Sequence, residues 1–263
     1  MNKLGIIGAG NIGLSMARGL VKVGGWKPSE ILLSRRKSNL LLPLKGEGFQ
    51  VTGDNRELVR QSSVIILAVL PGQAEAVCRE LADQLDPQRH LLISVISAAS
   101  LNELKRWLGT EVQIVRAMPN TAAEYGASMI CLAGENPDAV GKAEKLLRPL
   151  GSTMVISEQL IPAATILAAC GIAYFLRVIR AASQGGIQIG FHAEEAGRIA
   201  AQTAKGAAEI LLRTGNHPEE EIDKVTTPMG CTISGLNEME HFGLSSAMIK
   251  GIIKSYAGFE ELK

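Results

Sequence analysis

Aromatic residues make up only 4% of this 263-residue chain, net charge is nearly absent and the cysteines number four. Each shortage removes a class of function. Lys+Arg at 27 against Asp+Glu at 26 leaves a net charge of +1, too little to draw nucleic acid, and scarce aromatics argue against a stacking platform for single strands. Cys78, Cys131, Cys170 and Cys231 lie far apart and form no Cys-x-x-Cys pair. No cluster of Cys and His has zinc-ligand spacing, so no metal site is expected. Free thiols in a reducing, cytoplasmic compartment are the simple reading. Long apolar runs are lacking too. Gln159 to Leu176 carries no formal charge, but it contains Pro162 and Gly171 and is short for a bilayer core, so no membrane span is expected. Met1-Asn2-Lys3 runs straight into Leu4-Gly5-Ile6-Ile7-Gly8, which predicts no cleavable leader.

What the chain has is 46% hydrophobic residues and 28 glycines, the composition of a compact enzyme or binding protein. Short β-like runs at Leu4–Ile7, Ile31–Leu33, Val64–Val69, Leu91–Val95, Val112–Ala117 and Ser128–Ala133 alternate with helical patterns. Ile12, Met16, Leu20 and Val23 mark one helix face, Val77, Leu81 and Leu85 a second, Leu101, Leu104 and Leu108 a third. This rhythm predicts an α/β fold, an N-terminal Rossmann-type doubly wound sheet that is mostly parallel. Gly8-Ala9-Gly10-Asn11-Ile12-Gly13 ends the first strand and opens the first helix, the context that gives Gly-x-Gly-x-x-Gly meaning. Gly8 serves the turn, Gly10 admits a pyrophosphate, Gly13 lets helix and strand pack, and the phosphates take the free N–H groups of the helix start.

The second strand bears on the choice of cofactor. An NAD site usually ends it with a carboxylate for the ribose hydroxyl. Here it ends Ser34-Arg35-Arg36, which suits a 2′-phosphate, so NADP(H) is expected over NAD(H), with NAD(H) retained as a second donor. Ala68-Val69-Leu70-Pro71 and Ser97-Ala98 follow strands on the same edge and would line the crevice, and Asn120, after the Val112–Ala117 strand, would lie near the nicotinamide.

After Gly151 the strands fade and Leu160–Gln184, Glu194–Arg213, Thr232–His241 and Ser245–Phe259 read as helices. The first two are crowded with alanine, so their small faces are expected to bury against a second subunit. The boundary is set between 157 and 158, an NADP-binding Rossmann domain before it and a helical dimerisation and substrate-binding domain from 158 to 263. The loop from Val225 to Cys231 feeds the helix at Thr232, whose start would take a carboxylate, with hydroxyls from Thr227 and Thr232. His90 and His217 lie beside prolines and read as residues of surface turns, and Glu219-Glu220-Glu221 reads as a solvated first turn.

Taken together, these motifs resemble pyrroline-5-carboxylate reductases over nearly the whole chain. The resemblance rests on GIIGAGNIG, on Gly53-Asp54-Asn55, IILAVLP, ISVISAASLNEL and VRAMPNTAAEYG, and most specifically on ACGIAYF and HPEEEIDKVTTPMGCTISGLNEME. It implies a Rossmann domain, a C-terminal helical domain swapped into a homodimer that often assembles further, NADPH or NADH as donor, and L-1-pyrroline-5-carboxylate as acceptor. It also implies that Ile7, Gly8, Ala9, Gly10, Asn11, Ile12, Gly13, Ser34, Arg35, Asn55 and Ala68 to Pro71 hold the cofactor, with Ser97 and Ala98 nearby. The substrate carboxylate would then sit on the amides of Gly230, Cys231 and Thr232, with the Thr232 hydroxyl facing the ring nitrogen. The chain departs from the family pattern at three places. Met229 and Cys231 stand in a loop usually Ser-Pro-Gly-Gly-Thr-Thr, Ile172 stands where proline is usual, and Leu70 stands where lysine is usual. Threonine is too weak an acid to be an efficient proton donor, so Thr232 reads as an orienting hydrogen-bond donor. Two other readings stay open on the sequence. One is a related imine or hydroxy-acid oxidoreductase, disfavoured by the absence of lysine from Leu160 to Leu176. The other is a non-catalytic NADPH-binding sensor.

Overall fold

The computed structural model describes residues 4–109 and 111–260, and they divide into two compact units. The first runs to Cys170 and takes in the chain again from Tyr256, and the second is Gly171–Ser255. The expected division between 157 and 158 falls before this one. The chain past it is held to the first unit because Ile161 packs against Met118, Cys131 and Ala133.

The first unit is built on eight strands. β1 (Leu4–Ile7) leads into α1 (Asn11–Lys22) and β2 (Ile31–Ser34), then α2 (Leu42–Gly46), β3 (Gln50–Thr52) and α3 (Asn55–Gln61). β4 (Val64–Leu67), α4 (Ala74–Leu81), β5 (Leu91–Ser94), α5 (Leu101–Leu108) and β6 (Gln113–Met118) continue the alternation. β7 (Ser128–Gly134), α6 (Pro137–Leu147), β8 (Gly151–Val155) and the short α7 (Ile161–Ala164) complete it. The sheet order is β3-β2-β1-β4-β5-β6-β7-β8, parallel throughout except that β7 runs antiparallel to β6. The strands alternate their side chains between two cores. Leu4, Ile6, Leu33, Ile66 and Ile93 face the side of α1, α2 and α6, and Ile7, Leu32, Ile65, Leu67 and Leu92 face that of α3, α4 and α5. Central strands buried on both faces are continuous apolar runs, which is why six strands are legible in the sequence. β3 and β8 close the two edges, are short or partly exposed, and carry Gln, Ser and Thr.

After α7 the chain makes one π-helical turn, Thr165–Cys170, where the sequence pattern predicts unbroken helix. The second unit follows with α8 (Gly171–Gln188), α9 (Ala193–Thr214), α10 (Pro218–Val225), α11 (Cys231–His241) and the greater part of α12 (Leu244–Glu260). α8 and α9 pack through small residues: Gly186 lies against Ala196, and Ser183 is buried in the same contact. His192 N-caps α9, and its backbone N–H donates to Glu195. His217 caps α10, its Nδ1 accepting from the Glu219 N–H.

His90 differs from expectation. It is buried, because the Asp86–Arg89 turn folds it inward just before β5, and its Nδ1 accepts the Asp86 N–H at 2.8 Å. Burial holds its imidazole below the ordinary value, aided by the charge of Arg89 and opposed by the Val59 and Ser62 backbone and by Asp86.

Candidate functional site

The parallel strands β1, β2, β4 and β5 bring their carboxyl ends to one edge, and the strand order reverses between β2 and β4 on either side of β1. Such a switch point is where a doubly wound sheet receives a ligand. Gly8 has φ 98°, and a Cβ there would lie 2.4 Å from the Ala68 carbonyl oxygen. A Cβ on Gly13 would come within 2.4 Å of the Gly8 carbonyl oxygen. Protein packing therefore requires both glycines. Gly10 is different: a Cβ there would meet nothing within 4 Å. Its missing side chain keeps open a space that the protein itself does not fill, as the approach of a pyrophosphate requires.

The start of α1 is open in the same sense. Gly10 is its N-cap, no side chain caps it, and its first turn has no acidic residue. Elsewhere in this unit Asp54 caps α3, Ser100 caps α5 and Asn136 caps α6. The unclaimed donors of Asn11, Ile12 and Gly13 give α1 the geometry of a phosphate site. Ile7 and Ala9 are buried beneath the turn.

At the end of β2, Ser34 is fully buried. Its carbonyl accepts from the N–H groups of Gly8 and Ala9, and its hydroxyl donates to Asn55 Oδ1 at 2.7 Å. Asn55 in turn donates through Nδ2 to Glu80 at 3.3 Å. The hydroxyl is thus spent inside the protein and not turned outward to a 2′-phosphate as its place in the sequence suggests. The cationic groups at this rim are Arg35, whose Nη1 donates to the Ala9 carbonyl at 2.9 Å, and the exposed Arg36 and Lys37. Ala68 and Val69 are half-buried beside Gly8, while Leu70 and Pro71 are exposed at the mouth.

Asn120, expected beside a nicotinamide, is buried. Its Oδ1 accepts the Ala122 N–H and its Nδ2 donates to the Ala168 carbonyl at 3.0 Å, so it ties the end of β6 to the π-helical turn. Ser97 and Ala98 border a cavity of about 430 Å³ lined also by Ser100, Glu103, Arg116, Glu158 and Tyr256. Three charged residues of this wall, Arg116, Glu158 and Glu103, were missed by the sequence reading. Arg116 sits in the middle of β6, almost wholly buried, and donates to the Ser97 carbonyl at 2.7 Å and to Glu158 at 3.3 Å. Burial lowers its guanidinium pKa, and the charge and hydrogen bond of Glu158 oppose that shift. Hydrogen bonds from the Ser100 backbone and hydroxyl hold Glu103 below the usual carboxylate range. A charged residue inside the apolar run Ile114-Val115-Arg116-Ala117 was the available signal.

The predicted substrate loop lies in the second unit. Gly230 donates to the Thr227 carbonyl at 2.9 Å and is the N-cap of α11, which has no side-chain cap and no acidic residue in its first turn. A Cβ on Gly230 would lie 2.5 Å from Thr227 Oγ1, so the turn needs glycine there. Thr227, Cys231 and Thr232 are exposed. The His, Cys, Asp and Glu residues described include no group that could hold a metal ion.

Residues 158–262 match the family model described as pyrroline-5-carboxylate reductase dimerisation, and residues 3–98 match that described as NADP oxidoreductase, coenzyme F420-dependent. The chain is 47% identical to pyrroline-5-carboxylate reductase 1 of Dictyostelium discoideum over 97% of its own length, and spans 48% of that relative. To pyrroline-5-carboxylate reductase 2 of the same organism it is 45% identical, covering 96% of the chain and 90% of the relative. The solved pyrroline-5-carboxylate reductase of Coxiella burnetii superposes with a TM-score of 0.87 at 30% identity, over 100% of this chain and 98% of that one.

Proposed function

The chain belongs to the pyrroline-5-carboxylate reductase family, and from that premise we propose that it reduces the C=N bond of L-1-pyrroline-5-carboxylate with NADPH, giving L-proline as the last step of proline biosynthesis. The observation that carries this reading is the opening of α11, an uncapped helix start without carboxylates, set behind Gly230 and flanked by exposed threonine hydroxyls. Such a start attracts a substrate carboxylate. The amides of Cys231 and Thr232 hold it, with Thr227 beside them, while the Gly230 N–H, expected to join them, is spent on the Thr227 carbonyl. The Thr232 hydroxyl orients the ring nitrogen through one hydrogen bond, donated to the neutral imine and accepted from its N–H once the imine has taken a proton from solvent.

Bound NADPH supplies the hydride, and the chain's part is to hold the two reactants in register. The open start of α1 takes the pyrophosphate. Arg35 and Arg36 would hold the 2′-phosphate, with Ser34 and Asn55, hydrogen-bonded to each other, supporting the rim. Ala68 to Pro71, Ser97 and Ala98 flank the nicotinamide half, and Asn120 serves by fixing the turn beyond β6. With cations and no carboxylate after β2, NADH is the weaker donor.

The helices of residues 158–262 join two copies into a homodimer. Assembly of dimers into a higher oligomer, and a cytoplasmic location, are part of the same proposal. The helical stretch Glu158–Gln188 is long and apolar enough to cross a membrane by length and composition. We assign its apolar face to the second subunit, since it lies in the region matching the dimerisation model.

The test is pyrroline-5-carboxylate-dependent oxidation of NADPH, run beside NADH, on the purified chain. Turnover with NADPH preferred is expected, and Thr232→Ala is expected to lower kcat about tenfold with NADPH affinity unchanged, the loss of one hydrogen bond to a charged group. Tight NADPH binding without turnover would overturn the substrate assignment. Full turnover in Thr232→Ala would remove Thr232 from the mechanism.

A further inference from the structure

We propose that Arg116 and Glu158 are positioning residues that set where the nicotinamide half of the cofactor lies, an inference that rests on the dinucleotide reading above. Arg116 is 3% exposed, and Ile114, Val115, Ala117 and Met118 on either side of it in the strand are apolar. Its Nη2 donates to the Ser97 carbonyl at 2.7 Å and lies 3.4 Å from that of Ile96. Its Nη1 donates to Glu158 Oε1 at 3.3 Å, and the same oxygen accepts the Leu101 N–H. One ion pair, its arginine buried and its carboxylate partly exposed, therefore holds both ends of the turn that joins β5 to α5, its carbonyls at the entry and the first amide of α5 at the exit.

Stability alone does not account for the pair. An ion pair that buries a charge is commonly matched or exceeded by apolar side chains of similar volume, and here the Arg116 Nε has no hydrogen-bond partner among the described residues. Nor does α5 depend on Glu158 for its cap, because Ser100 and Glu103 form a complete capping box. What the pair adds is a fixed place for Ser97 and Ala98. That turn lies at the carboxyl end of β5, across the switch point from β2 and β3, so it borders the nicotinamide half while the Ser34–Arg36 rim serves the adenosine half. A planar fork with donors in two directions can span these acceptors at once, whereas a lysine ammonium on a single stem cannot.

The two halves of the cofactor separate this role from a general loss of structure. Binding of NADPH and of adenosine 2′,5′-bisphosphate, the adenosine half alone, is measured by calorimetry on the full-length Arg116→Met, Arg116→Lys and Glu158→Gln variants, with Tm recorded beside it. Arg116→Met is expected to weaken NADPH about tenfold or more while the adenosine fragment stays within about twofold of wild type. Arg116→Lys and Glu158→Gln, which keep a charge or an acceptor for the Leu101 N–H, are expected to fall between, and they carry the comparison if Arg116→Met does not fold. Equal losses for both ligands, or no loss for NADPH, would overturn the proposal. Absence of pyrroline-5-carboxylate turnover touches neither binding arm, so the two readings fail separately. Failure of wild type to bind either nucleotide would overturn this inference together with the dinucleotide site.

Discussion

Among the described residues Met229 is the one non-glycine with a left-handed backbone, φ 59°, and its side chain is fully exposed. An L-residue in that region costs roughly 1–2 kcal/mol, and no packing of the methionine offsets it. Replacement by glycine relieves this strain but gives back backbone freedom in the unfolded chain, and the two effects nearly cancel. Met229→Gly is therefore expected to leave Tm almost unmoved. Met229→Val puts a β-branched residue where it is least tolerated, and the strain falls on the loop before α11. Its KM for pyrroline-5-carboxylate is expected to rise while NADPH affinity holds, and equal KM values for wild type and the valine variant would show that the loop does not keep this conformation. The departure itself was legible, because Met229 stands where the family has glycine. The fate of Ser34 was not. Its place after β2 announced a nucleotide rim, but that its hydroxyl turns inward to Asn55 depends on α3, which is distant in sequence.

At the scale of elements, the sequence reads well where burial is two-sided and poorly where it is not. β1 and β4 are apolar throughout, β5 is apolar up to its last residue Ser94, and all three stand in the interior of the sheet, whereas β3 and β8 lie at its edges and were missed. The π-helical turn was hidden as well, and the amide that donates to its Ala168 carbonyl comes from Asn120, distant in sequence. The β1–α1 junction shows how one motif divides its labour. Gly13→Ala would force a methyl group toward the Gly8 carbonyl, against backbone that cannot yield cheaply, so a clear fall in Tm is expected together with lost cofactor binding. Gly10→Ala meets open space, and although Ala is a poorer N-cap than Gly by about 1 kcal/mol, Tm is expected to fall by only a few degrees, far less than in Gly13→Ala. NADPH affinity is nonetheless expected to drop about tenfold or more, because the new methyl group occupies the approach of the pyrophosphate. A Gly10→Ala protein that binds NADPH as wild type does would show that the phosphates do not pass there.

The whole molecule raises the question of what covers the second unit. Of the hydrophobic residues between 171 and 255, only Ala196 is buried, while Phe175, Leu176, Ile189, Phe191, Ile199 and Leu212 all stand exposed. A unit of helices with no core of its own cannot offset the conformational entropy of ordering them, and an exposed apolar surface of this extent marks an association face. The sequence announced this through the alanines of α8 and α9, but it could not say that burial within one chain would stop at Gly171, Ser183 and Ala196. If two copies supply each other's core, folding and association are one equilibrium, and stability depends on protomer concentration. Light scattering is expected to give a mass at least twice the 27.9 kDa of one chain, and Tm is expected to rise with protein concentration. Phe175→Glu, which places a charge on that face of α8, is expected to lower Tm and shift the mass toward one chain. A particle of one chain's mass whose Tm is independent of concentration would overturn the mutual-core account, since the second unit would then have to stay folded with its apolar helices in water.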